Sequence, residues 1–421
     1  MQEKIINHFI SLTKVPHCSQ NIALLQRYLT DFAQKRGYEV KSDSVKNILI
    51  KKGNPKLALQ AHYDMVCMGK APKIETYIED GWMYAEDSSL GADNGIAIAM
   101  MMQLMDEGAE LEFLLTADEE IGLVGASAIE LELVSKYMLN IDFEDEGIVC
   151  IGCAGGADLI GKKTFKEEAG YAYNYEVLVS GLLGGHSGVE IHKNIPNAIK
   201  VLVNYLKDKE VLIGTFSGGE RRNSIPTNAT VKLSSKVPLI GSDEVEVKRI
   251  NEPLIVYDTD DLLKFLIDFK HGIHQFNEAF NLADSSINLA LISFENGEAK
   301  IECSSRAMDN KGLIEINKTT EELFKKYGFD CSLEYKYPAW KPEINHFTSL
   351  VNEAMIKSFG SSKYEAIHAG LECGVLLEKY PQIQFASIGP TIVSPHSVHE
   401  KLELASVGKT FLVLKEVIAT L

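Results

Sequence analysis

The 421-residue chain contains no run of eighteen apolar residues, so no stretch reads as a membrane-spanning helix. It is also short of positive charge. Forty-two basic residues stand against 59 acidic ones, a net charge of −17, which argues against nucleic acid and anionic membranes as partners. The first residues, MQEKIINHFI, carry an acid early and lack a long apolar core followed by a small-residue cleavage site, so no secretory signal is expected. Cysteine is sparse and odd in number, seven in all, which fits reduced thiols. These absences together point to a cytoplasmic protein. What remains, 45% hydrophobic and 24% charged residues, describes a soluble globular chain long enough for two or three domains.

Apolar periodicity predicts helices over residues 1 to 36, broken at Pro16 and stopped at Gly37. Val45 to Lys51 and Leu57 to Ala61 read as short strands, and Gly53-Asn54-Pro55 between them as a hairpin-type turn. A helix over Ile96 to about Glu107 then leads to the strand Leu111 to Thr116. A helix over Gly122 to Leu133 and the strand Tyr137 to Ile141 follow. Strands and helices alternating at this spacing predict an α/β domain, a mixed sheet with helices on both faces. From about 165 to 335 the texture changes to strand-helix-strand-strand units, with a hairpin over Asn288 to Ser304 turning at Glu295-Asn296-Gly297. Helix and strand alternate again to the end, so residues 1–164 and 336–421 are expected to form one α/β domain, interrupted by an α+β insert at 165–335.

The loop Asp87-Ser-Ser-Leu-Gly-Ala-Asp93-Asn-Gly95 ends on an acid and runs at once into an apolar helix. Alone it is a glycine-punctuated turn with an Asx cap. His62-Tyr63-Asp64 closes a strand, and alternate strand residues share a face, so a carboxylate there could orient the imidazole for metal binding. Asp118-Glu119-Glu120 follows another strand. It reads either as a helix N-terminus favouring negative charge or as a metal-binding glutamate beside a general base. Asp142 ends a third strand, and His396 lies in the loop before the last helix. Four of His62, Asp93, Glu120, Asp142 and His396 fall at or just after the C-terminal ends of predicted strands, where open α/β sheets place their sites. Two imidazoles and three carboxylates suit two zinc-like ions bridged by one acid. The Cys150-x-x-Cys153 pair has no second pair nearby and reads as buried thiols on a strand.

The motifs HYDMV (62–66), SSLGADNG (88–95), TADEEIGLVGA (116–126), NIDFEDEG (140–147), GGHSG with IH (184–188, 191–192), IHAGLECG (367–374) and GPTIVSPHSVHE (389–400) resemble, in order, those of the aminoacyl-histidine dipeptidases. These are cytosolic bacterial Xaa-His dipeptidases within the two-zinc exopeptidases and deacylases. The resemblance covers nearly the whole chain. It implies that Asp93 bridges two divalent metal ions, zinc with manganese or cobalt as alternatives. His62 and Asp142 would complete one site, Glu120 and His396 the other. Glu119 would be the general base and Asp64 the acid behind His62. In the insert, His186 would stabilise the oxyanion, from the same chain or a partner. Asn223, Arg306 and Gly370 would bind substrate, with Arg306 a candidate for a free C-terminal carboxylate. Asn223 and Arg306 also read as a hairpin residue and a solvated arginine.

The fold so implied is a zinc-exopeptidase-like catalytic domain carrying an α+β lid and dimerisation domain, with a possible homodimer through the insert. The activity implied is hydrolysis of unblocked dipeptides. Two alternatives keep the sequence features: a deacylase of N-acyl amino acids using the same site, and a catalytically inactive amino-acid-binding relative. The chain is somewhat shorter than typical members of that family, so trimmed lid loops are expected.

Overall fold

Strands too apolar to be half exposed form the centre of the first sheet. Leu57–His62 buries all six of its residues and Glu112–Thr116 all five, as parallel strands covered on both faces do. The structure is a computed structural model describing residues 1–421. It divides into two compact units: Met1–Cys153 with Trp340–Ala366 and Leu371–Leu421, and Ala154–Ala339 with Ile367–Gly370.

The first unit holds an eight-stranded sheet in the order Glu39–Ser42, Ile48–Lys51, Glu112–Thr116, Leu57–His62, Tyr137–Asn140, Gln384–Ser387, Ile148–Cys153, Lys363–Ile367. Its four central strands are parallel, with His62 level with Thr116 and Gln60 level with Asn140. Their C-terminal ends therefore open on one edge, and the loops that follow them emerge there together. The helix Ala92–Asp106 packs against Leu57–His62 and is buried from Ala92 through Met105. Apolar on all sides, it belongs inside the unit and not on its surface.

Three local expectations fail for physical reasons. The strands flanking Gly53-Asn54-Pro55 are not paired with each other. Glu112–Thr116 lies between them, antiparallel to Ile48–Lys51 and parallel to Leu57–His62. A turn tripeptide specifies reversal of direction, and here the reversal skips one strand. Of the helix expected over 122–133, only Val124–Ser127 is helical. The N–H groups of Glu130, Val134 and Ser135 donate instead to the carboxylates of Asp43 and Glu112, so side chains outcompete the helical carbonyls. Finally, Cys18 and Cys67 form a disulfide, against the expectation of reduced thiols. Cys18 pairs with Met65 in a short parallel bridge, which leaves the two cysteine Cα atoms 5.5 Å apart across 49 residues of chain. The other five cysteines are free. Cys150 and Cys153 sit buried on one strand, three residues apart and so on opposite faces.

The second unit is built on antiparallel strands ordered Glu246–Ile250, Tyr173–Val179, Ala229–Ser235, Val211–Gly218, Leu282–Glu295, Glu298–Ala307, Gly155–Thr164, Asp330–Tyr337. Leu202, Phe265 and Phe324, from the helices Ala198–Leu206, Asp260–Asp268 and Asn310–Lys326, share one core with Val177, Val231 and Ile301 from the strands. The predicted hairpin forms, with Asn296 and Gly297 both at positive φ (52° and 77°), as a two-residue primed turn requires. Gly155–Thr164 pairs on both sides with strands of this sheet. The insert therefore begins at Ala154, eleven residues before the expected boundary.

Candidate active site

His62 is the last residue of its strand. Its Nδ1 hydrogen-bonds at 3.0 Å to the backbone carbonyl of Asp64, an acceptor only, so Nδ1 carries the proton and Nε2 is free to bind. The Asp64 carboxylate stands 3.7 Å from Nδ1, beyond hydrogen-bond reach. Its oxygens instead accept the Ser19 hydroxyl at 2.8 Å and the backbone N–H groups of Glu119 and Glu120 at 2.9 and 3.4 Å. The acid behind the histidine thus also fixes the loop bearing the two glutamates.

Asp93 sits at the start of its helix in a non-helical conformation, φ −83° and ψ 105°, after Gly91 at φ +70°. Asn94 follows and ties this turn to the neighbouring strand end by donating to the Ile141 carbonyl at 2.8 Å. The Asp93 carboxylate lies between two imidazoles, with Oδ1 3.0 Å from His62 Nε2 and Oδ2 2.9 Å from His396 Nε2. Asp142 Oδ1 is 3.3 Å from His62 Nε2, and Glu120 Oε2 is 2.9 Å from His396 Nε2. Two groups of ligand atoms result, His62–Asp93–Asp142 and Asp93–Glu120–His396, sharing Asp93. A third group joins His62 to Glu119 and Glu120.

These residues fit divalent cations on their own evidence. Separations near 3 Å are those of neighbouring ligands around one small ion, whose bonds to nitrogen and oxygen are about 2.0–2.2 Å. Glu120 Oε1 and Asp142 Oδ1 are buried and meet no donor, which for ordinary polar atoms costs about 1–3 kcal/mol each. Charge points the same way. Burial and neighbouring carboxylates raise Glu119 well above the usual carboxylate range, raise Glu120 and Asp142, and push Glu144 up to about 8. Burial opposes charge on His396, yet Asp93 and Glu120 lift it to about 11. Burial would raise Asp93, yet the adjoining His396 and His62 rings hold it below the usual carboxylate range. So many acids around two imidazoles make a pocket built for positive charge.

Two buried acids here escaped sequence reasoning. Glu372 Oε2 accepts from Thr116 Oγ1 at 2.7 Å and Gln60 Nε2 at 2.5 Å, and burial raises it to about 7. Glu400, four residues after His396, accepts the backbone N–H groups of Leu90, Gly91, Ala92 and Asp93. Both lie inside motifs quoted above, which was the only signal available.

The remaining predicted residues belong to the second unit. His186 Nδ1 accepts the N–H groups of Gly188 and Val189, each at 3.2 Å, so the proton of the neutral ring sits on Nε2. Burial, reinforced by Arg306, lowers its pKa to about 4 and keeps the ring neutral. Arg306 is 8% exposed, donates from Nη1 to the Tyr337 hydroxyl at 2.8 Å, and leaves Nε buried without a partner. It is not a solvated surface arginine. A Cβ built on Gly188 would meet Arg306 Nε, and one on Gly370 would meet the Tyr337 ring, so His186, Arg306 and Gly370 belong to one continuous neighbourhood. Asn223 is exposed and joins the His186 turn by its carbonyl, which accepts the Ser187 N–H at 2.8 Å.

Known proteins match the chain along its whole length. The model of peptidase family M20/M25/M40 matches residues 58–420. The cytosol non-specific dipeptidase of Escherichia coli K12 is 31% identical over 97% of this chain and 96% of its own. Aminoacylhistidine dipeptidase from Vibrio alginolyticus superposes with a TM-score of 0.86 at 27% identity, covering 99% of this chain and 96% of that one. A tripeptidase from Staphylococcus aureus shares the fold with a TM-score of 0.62 at 16% identity, over 100% of this chain and 98% of its own. With a pocket of two imidazoles around one buried carboxylate, and a family match over most of its length, the chain is a metallopeptidase belonging to peptidase family M20/M25/M40.

Proposed function

We propose that the protein hydrolyses unblocked dipeptides, Xaa-His dipeptides among them, at a centre of two zinc ions. The observation behind this reading is Asp93, whose two oxygens face two different histidines at 3.0 and 2.9 Å. His62 and Asp142 would hold one cation and Glu120 and His396 the other, with Asp93 between them. Bound there, the ions would polarise the scissile carbonyl and acidify water. Glu119, held by Asp64 and raised by burial, takes the proton from the attacking water and passes it to the leaving amine. His186, protonated on Nε2, donates to the developing oxyanion, from this chain or from a partner copy. Arg306 receives the substrate's C-terminal carboxylate, with Asn223 and the backbone of Gly370 lining the same pocket. The insert serves as lid and as the surface for homodimer formation, and the protein works in the cytoplasm.

The test is to strip the protein of metal, reconstitute it with zinc, manganese or cobalt, and assay a dipeptide panel beside N-acetyl amino acids. Metal-dependent cleavage of dipeptides is expected. Cleavage of only the acylated amino acids would make it a deacylase, and no metal-dependent turnover would refute the reading.

A further inference from the structure

The loop that presents Asp93 is held from outside its own helix. Leu90, Gly91, Ala92 and Asp93 offer four consecutive backbone N–H groups at a helix start, where no preceding turn supplies carbonyl partners. All four converge on one side chain. Glu400 Oε2 accepts from Leu90 at 2.7 Å and Gly91 at 3.0 Å, and Oε1 accepts from Ala92 at 2.8 Å and Asp93 at 3.4 Å. Glu400 is 3% exposed, and no lysine or arginine pairs with it. The amide cradle is its counter-charge, a concave nest of N–H groups of the kind that binds anions.

Position gives this bond its consequence. Glu400 lies four residues beyond His396, which sits in a loop at φ +58°, and its N–H returns to Ser397 O at 3.3 Å. One carboxylate therefore joins the backbone bearing Asp93 to the backbone bearing His396, residues 303 apart in the chain. Asp93 itself is non-helical, so helical hydrogen bonding does not set its direction.

We infer that Glu400 is a positioning residue for the metal centre, holding the Asp93 carboxylate between His62 and His396. This rests on the reading of the site given above and assigns the element that preorganises it. Glutamine at 400 keeps the volume but turns one end into an amide donor facing N–H donors. Aspartate keeps the charge but is one methylene too short to reach all four.

The test measures zinc affinity of wild type, Glu400→Gln and Glu400→Asp by competition with a chromophoric chelator. Hydrogen exchange of the Leu90–Asp93 amides is followed in the metal-free proteins. Glu400→Gln is expected to weaken zinc binding at least tenfold and to speed exchange of those amides, with partial recovery in Glu400→Asp. Val351→Ala, a core truncation in the helix His346–Phe359, serves as the stability control and should leave zinc affinity unchanged. If Glu400→Gln fails to fold, the same readouts on Glu400→Asp decide. Wild-type affinity and exchange in the Glu400 variants, or an equal loss in Val351→Ala, would overturn the inference. A wild-type protein that takes up no zinc would overturn instead the site reading beneath it.

Discussion

Asp64→Asn should damage the centre far more than its small change in shape suggests. The Asp64 side chain is fully buried, and its two oxygens take one hydroxyl and two backbone N–H donors. In the least costly asparagine orientation the carbonyl keeps the Glu119 N–H, the Ser19 hydroxyl turns to accept, and the Glu120 N–H loses its acceptor. Bonds to a charged acceptor contribute about 1.5–3 kcal/mol and neutral ones about 0.5–1.5. Two bonds weakened by about 1 kcal/mol each, with the long 3.4 Å bond of the Glu120 N–H lost at about 1 kcal/mol, amount to roughly 3 kcal/mol, or about 10²-fold. That is the scale of the ~10–100-fold loss typical when a partner behind the metal ligands is replaced, here one that acts through the backbone of Glu119 and Glu120. The assay is zinc affinity by chelator competition together with kcat at saturating zinc, whose losses should multiply to that range. Ser19→Ala removes one donor and spares the charge, so its loss should stay at the low end of the charged-bond range, about 1.5 kcal/mol or roughly tenfold. Asp64→Asn within twofold of wild type in both quantities, or Ser19→Ala as damaging as Asp64→Asn, would refute the reasoning.

Glu119→Gln should bind zinc as wild type does while losing about 10²–10⁴-fold in kcat, the usual contribution of a general base; metal content and turnover measured on the same sample check this. Burial lowers His368 to about 3, far below the 6.5 of the unfolded chain. Between these values the unfolded state binds a proton that the folded state does not, so stability is full above pH 6.5 and falls as pH drops. At pH 5 the fall is about 2 kcal/mol from this group, and His368→Gln should flatten the slope of denaturant-derived stability between pH 7 and 5 in metal-free protein. His186 and His271, each lowered to about 4, act in the same direction. Reducing Cys18–Cys67 opens a link across 49 residues, which chain entropy values at up to about 4 kcal/mol. The urea midpoint should drop on adding dithiothreitol and stay put in Cys18→Ser.

The acids and histidines at the strand ends were legible because each follows an apolar run that can only be a buried strand, and parallel strands deliver their C-terminal loops to one edge. His62, Glu119, Glu120 and Asp142 lie together in the structure for that reason, and Asp93 at a helix start and His396 in a loop join them from outside those strands. Asp64 was legible as a neighbour of His62, but not in its larger contact with the loop of Glu119 and Glu120, 55 residues away. Glu372 and Glu400 were beyond reach. Their partners are Gln60, Thr116 and four backbone amides, all more than 250 residues distant, and a backbone N–H leaves no trace in residue type. The helix expected over 122–133 failed likewise, because the carboxylates of Asp43 and Glu112 that unmake it come from other strands and loops. The start of the insert was misjudged because Gly155–Thr164 follows the catalytic sheet without a break in texture, and only pairing assigns it to the other sheet.

Asp93 is the one residue that both ligand groups share, so the account stands or falls on what its loss does to the metals. Zinc content of Asp93→Ala after equilibration at micromolar free zinc and gel filtration should fall to near zero, against two ions per chain in wild type. An Asp93→Ala protein that still holds two zinc ions tightly would contradict the account, since Asp93 would then be only the cap of its helix.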